Sequence, residues 1–111
     1  MANITQREVF IMEYRRFGNT IYLRLDPKEE ILEEIGKVAK KENIRLAQVT
    51  GLGAINDFTA GVYNTVTKEY HSIQFQGAFE IVSLTGTVTR KDGDVYLHLH
   101  IAAGDEEGHV H

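Results

Sequence analysis

The sequence contains no cysteine. Disulfides, thiolate metal sites and thiol nucleophiles are excluded together, so any metal on this chain has an N/O shell drawn from His, Asp and Glu. Long apolar runs are missing too, since no stretch approaches the roughly 18 residues that a membrane-crossing helix needs. The first eight residues, MANITQRE, lack the charged-then-apolar order of a signal peptide. The expectation is a soluble, cytoplasmic protein. Basic clusters are equally scarce, none being longer than pairs such as Arg15-Arg16 and Lys40-Lys41 in a chain of net charge −4. Duplex binding without sequence preference draws on several basic groups that neutralise phosphates, so a single chain is poorly equipped for it. Oligomerisation offers a way to gather the scattered charges onto one face.

What is present is one domain's worth of alternating elements. The 111 residues, 42% hydrophobic and 25% charged, suffice for one core, since a second would need roughly another 50 residues. Residues Arg7 to Tyr14 and Ile21 to Leu25 read as two strands around a Gly18-Asn19 hairpin turn. Asp26, with Pro27 behind it and Glu29 three residues on, predicts a capped helix start. Ile31, Leu32, Ile35, Val38 and Ala39 form its apolar face, Lys28, Glu33, Lys37, Lys40 and Lys41 its wet one, and Asn43 is the stop. Gly36 allows close approach of that helix to a sheet.

Further strands are expected at Ile44 to Thr50, Ala54 to Tyr63, Glu69 to Phe75 and Glu80 to Thr89, with breaks at Gly51-Leu52-Gly53 and Gly77. The glycine pair lacks the third glycine, the Gly-Lys-Ser/Thr and the following helix of a phosphate loop, so it reads as a corner. In Glu80 to Thr89, alternation puts Val82, Leu84 and Val88 on one face and Ile81, Ser83, Thr85, Thr87 and Thr89 on the other. Ser83 has no nucleophile motif around it, and His71 reads as a plain strand residue. The sum is an α+β fold: a largely antiparallel sheet of six to seven strands with one amphipathic helix packed on it.

Chemistry concentrates at the end. After the Asp92-Gly93 turn, Val95, Leu97, Leu99 and Ile101 face one way and Tyr96, His98 and His100 the other. His98 and His100 are roughly 7 Å apart along the strand, a spacing that lets two imidazoles reach one ion, with zinc or another divalent transition metal as the expected occupant. Gly104-Asp105-Glu106-Glu107-Gly108 follows, then His109 and His111. If the chain turns back there, four imidazoles and three carboxylates share one neighbourhood. The other reading of His98 and His100 is a subunit interface. Gly93, His98-x-His100 and Glu106 are also loosely similar to the first cupin motif, with altered spacing and no second motif. That analogy supports an alternative function, a small metal-dependent hydrolase or lyase using His98 and His100 with Glu106 or Glu107 as general base.

From about Tyr22 onward the chain resembles the plants-and-prokaryotes conserved (PPC) domain, in its stand-alone prokaryotic form. The landmarks are Leu25-Asp26-Pro27 with Glu29-Glu30, Gly51-Leu52-Gly53-Ala54, the run Gly77 to Gly86 (GAFEIVSLTG), Asp92-Gly93, His98-Leu99-His100 and Gly108. The resemblance implies an α+β fold with an antiparallel sheet, a homotrimer, and a histidine-lined site, mapping to His98 and His100, that some prokaryotic members fill with metal. It further implies a DNA-associated or regulatory binding protein, although the Arg-Gly-Arg-Pro AT-hook of plant members is absent here. Gly77, Phe79, Glu80 and Ile81 map to the segment through which plant members engage partner proteins, with Ala78 where those carry Arg. The family continues beyond His111 with Gly-Gly-His-Leu and more strands. The resemblance therefore implies that C-terminal strands and a third site histidine lie outside the single domain at 1–111.

Overall fold

The computed structural model of the protein describes residues 13–111. Arg7 to Met12 of the first expected strand, and the N-terminal segment read for a leader, lie outside the described residues. Strands β1 (Glu13–Phe17) and β2 (Thr20–Arg24) pair antiparallel, Phe17 opposite Thr20, across a turn in which Gly18 takes a φ of 61°. The expected hairpin is present.

Helix α1 spans Ile31–Lys41, so it starts later than the Asp26 cap predicts. Asp26 to Glu29 instead close a β-turn, Glu29 N–H donating to Asp26 O at 3.1 Å, with Pro27 leading and Lys28 at φ 77°, a conformation no α-helix contains. Glu29 Oε1 still accepts from Asp26 N–H at 2.6 Å, half of the expected capping box, but it fastens the turn. The cap is Glu30, whose Oε1 accepts from Glu33 N–H at 2.9 Å. At the other end Asn43 takes φ 53°, and Ile44 N–H and Asn43 N–H donate back to Ala39 O and Lys40 O, the paired bonds of a Schellman stop. Val38 and Ala39 are buried, whereas Leu32, on the expected apolar face, is 47% exposed. Glu42, just past the helix, accepts from Tyr14 Oη at 2.8 Å and Arg16 at 3.0 Å, which ties the β1–β2 hairpin to the helix end.

The remainder is an antiparallel meander, β3 (Ala47–Asn64), β4 (Glu69–Lys91) and β5 (Asp94–Gly104), in that spatial order. The described residues thus hold five strands in two sheets, not six to seven in one. The difference arises at the glycines. Gly51-Leu52-Gly53 and Gly77 do not end strands; they carry register shifts, where two residues of β4 face one of β3, and Gly53 and Gly77 absorb them at φ 139° and 145°. Each expected pair of strands is therefore one long bent strand.

A third register shift, between β4 and β5, changes side-chain orientation. Between Ile81 and Ser83, Val82 is the extra residue against β5, and the alternation inverts there. Val82 is 62% exposed while Ile81 turns partly inward, the reverse of the expected assignment; Leu84 and Val88 are buried as expected. Helix α1 packs on the β5 face that carries Leu97, whose Cδ1 lies 4.0 Å from where a Cβ on Gly36 would stand. Beyond the bulges Phe58, Phe79 and Ala103 form the main buried cluster, flanked by Ile55, Ala60, Phe75 and Ile101. The Phe58 ring stacks on Phe75 and meets Phe79 edge-on at centroid distances of 5.0 and 5.2 Å.

Candidate functional site

Strand alternation gives β5 two chemically different sides. Val95, Leu97, Leu99 and Ile101 are half-buried toward the helix, while Tyr96, His98 and His100 are exposed opposite them, as the sequence predicts. The two imidazoles lean together, ring centroids 5.2 Å apart and Nε2 to Nε2 3.2 Å. Two imidazole nitrogens on one tetrahedral zinc ion, each at about 2.0–2.1 Å, stand about 3.3 Å apart. The donor pair fits that chelate, and without metal the same nitrogens are spaced for one shared N–H···N bond. The neighbours across the ladder are polar: Thr87 opposite His98, and Thr85 opposite His100. Ser83 lies on the same face through its pairing with Ala102, a residue that offers it no base.

The chain does turn back after Gly104. Gly104 and Val110 form a bridge, and Ala103 exchanges both backbone hydrogen bonds with His111 at 2.9 and 2.8 Å. Asp105 organises this turn: its Oδ1 accepts from the N–H groups of Glu107 and His109, each at 2.9 Å, and its Oδ2 accepts from His111 Nε2 at 2.9 Å. The His111 hydrogen bond, aided by the two backbone donors and the His109 charge, lowers the Asp105 pKa to about 2. Asp105, Glu107 and His109 bring ligand atoms within 4.8 Å of one another, the one such three-residue group among the described residues.

This group does not join the histidine pair. His111 lies opposite Ala103, so Asp105, His109 and His111 belong to the face of Ile101 and Ala103, and His111 covers the rings of Phe75 and Phe79 at 5.0 and 5.9 Å. His98 and His100 occupy the other face. The expected single neighbourhood of four imidazoles and three carboxylates is therefore split by the strand itself. The group at Asp105 was legible as an acidic loop between histidines, but which side of β5 it joins depends on the register of the returning chain. Of the segment assigned to partners, Gly77 is the bulge residue, Glu80 is exposed, Ile81 is half-buried and Phe79 is buried in the phenylalanine cluster.

Comparison with known proteins names the fold. The sequence profile of the Plants and Prokaryotes Conserved (PCC) domain matches residues 12–111. A solved structure from Bacteroides thetaiotaomicron, named a "putative DNA-binding protein", is 30% identical over 91% of this chain and 71% of its own, with a TM-score of 0.87. A plant- and prokaryote-conserved protein from Pyrococcus horikoshii is 35% identical, covering 90% and 68%, with a TM-score of 0.77. A metal-containing protein from Archaeoglobus fulgidus is 26% identical, covering 91% and 71%, also at 0.77. No curated protein matches the sequence. With the profile spanning nearly the whole chain and these folds superimposing on its five strands and helix, the chain belongs to the Plants and Prokaryotes Conserved domain family.

Proposed function

We propose that this chain is a small cytoplasmic binding protein, working as a homotrimer in a DNA-associated or regulatory role, with a divalent transition metal, zinc first, held by His98 and His100. The observation that carries the metal part is the 3.2 Å separation of the two Nε2 atoms on an exposed strand face. The Archaeoglobus fulgidus relative, named for containing metal, supports it, and the Bacteroides relative's name supports the DNA role. When bound, the ion supplies a positive centre with coordination positions left for a ligand. The chain's own contribution is a pair of neutral imidazoles held by a strand whose other side is anchored in the core.

A hydrolase or lyase would need Glu106 or Glu107 at those imidazoles as general base. The turn keeps the Glu107 carboxylate 3.6 Å from His109, on the Asp105 side of β5, which takes Glu107 away from that role and supports binding over turnover. The segment Gly77, Phe79, Glu80 and Ile81 remains our assignment for protein partners, with exposed Glu80 as its accessible charge.

The test is metal content and mass together. Purified protein is expected to carry near-stoichiometric zinc, lost in the His98→Ala, His100→Ala double variant, and to scatter as three copies of a 12.6 kDa chain. Zinc content equal in both proteins would refute the site. A gel shift with duplex DNA that weakens with added salt is expected for the trimer; an intact trimer that shifts no duplex at low salt would remove the DNA role.

A further inference from the structure

The sheet face around the histidines is built in rows. Strand pairing aligns Gln48, Thr87 and His98 in one transverse row and Thr50, Thr85 and His100 in the next. Directly opposed residues share a face, with Cβ atoms about 4.5–5.5 Å apart. Thr85 and Thr87 therefore stand beside the bases of the two histidines, with Thr50 and Gln48 one strand further out. All six side chains are exposed. Each of the four beyond the histidines offers a neutral hydroxyl or carboxamide donor, and none is a carboxylate.

That donor set has a preference. A cation on two neutral imidazoles keeps its full positive charge unless a carboxylate joins it; none of the side chains in these two rows is one, and the Asp105–Glu107–His109 group belongs to the far side of β5. Hydroxyl and amide donors beside such a centre match a ligand that brings both negative charge and several acceptor oxygens. We infer that Thr85 and Thr87, backed by Thr50 and Gln48, recognise a small oxyanion, a carboxylate or a phosphate group, bound at the His98–His100 metal site. The inference rests on the metal reading proposed above. Its new content is the ligand class and the residues that select it.

The experiment uses the full chain loaded with Co²⁺, whose visible absorption reports its coordination. Titration with inorganic phosphate and, separately, with acetate distinguishes the two oxyanion sources. A saturable spectral change is expected with at least one of them. In the Thr85→Val, Thr87→Val double variant, which keeps shape and strand preference but removes both donors, cobalt uptake is expected to stay unchanged. Anion affinity there is expected to fall about tenfold or more. Thr59→Val, on β3 opposite Gln74 and away from the rows, serves as the control and is expected to leave both unchanged. Cobalt-loaded protein that responds to neither anion, or equal anion affinity in the double variant, overturns this inference while leaving the metal site standing. Protein that takes up no cobalt overturns both.

Discussion

Gly86 sits opposite Leu99, between the two rows that carry His98 and His100, and its lack of a side chain is what lets β4 and β5 approach there. A Cβ at Gly86 would fall inside the contact radius of the His98 carbonyl oxygen and 2.7 Å from Leu99 Cα, where ordinary contacts begin at 3.4 Å. Both obstacles are backbone, so no rotamer change relieves them. In Gly86→Ala the strands must part by about 0.7 Å or more, which strains the ladder bonds on either side and overpacks the face beneath α1. Overpacking costs about 1–3 kcal/mol and weakened ladder bonds about 1 kcal/mol each, so a loss of about 2–4 kcal/mol is expected. For a domain of this size that lowers Tm by roughly 10 °C or more. Because the displaced strand carries both imidazoles, zinc affinity should fall in the same variant, read by competition with a chromophoric chelator. Gly51→Ala is the contrast: its nearest obstacle is Leu84 Cδ2 at 2.8 Å, the end of a side chain that can swing aside, and a smaller loss is expected. A Tm for Gly86→Ala equal to that of the unaltered protein would refute the close-approach argument, since alanine in a compatible conformation should raise stability slightly.

Other substitutions probe the remaining elements. Gly36→Ala should stabilise α1 by up to about 1 kcal/mol in denaturant unfolding, because the added methyl meets Leu97 Cδ1 at an unstrained 4.0 Å; destabilisation would contradict that packing. The Asp105 carboxylate, depressed in the folded chain to about 2 from 3.8, adds stability that is fully present above pH 3.8 and is lost as pH falls through about 2. Amide protection factors at Ala103 and His111, corrected for the intrinsic rate at each pH, should fall across that window, and Asp105→Asn should flatten the acid limb; an unchanged limb would show that the His111 tether contributes nothing. Phe79→Ala should cost about 3–5 kcal/mol, because it empties the contact with Phe58 and His111. Glu80→Ala, an exposed change, should leave unfolding unaltered and is therefore the clean probe of the partner segment.

Local rules carried the sequence reading a long way. Alternation around His98 and His100 determined that both imidazoles share an exposed face, because side-chain direction in a strand depends only on parity. Asp92-Gly93 and Gly18 determined their turns, Asn43 determined the helix stop, and the ordered landmarks from Leu25 to Gly108 determined the family. Other features depended on contacts distant in sequence. Gly53 and Gly77 look the same in sequence whether they end a strand or bulge it, and only a paired neighbour decides; here pairing continued, so four expected strands became two and Val82 exchanged places with Ile81. The helix start moved because a turn closed by Asp26 and Glu29 competed with the cap for the same groups. The side of β5 joined by Asp105, His109 and His111 was set by the register Ala103 takes with the returning chain, and register is a tertiary quantity: a slip of one residue would have sent them to the other face.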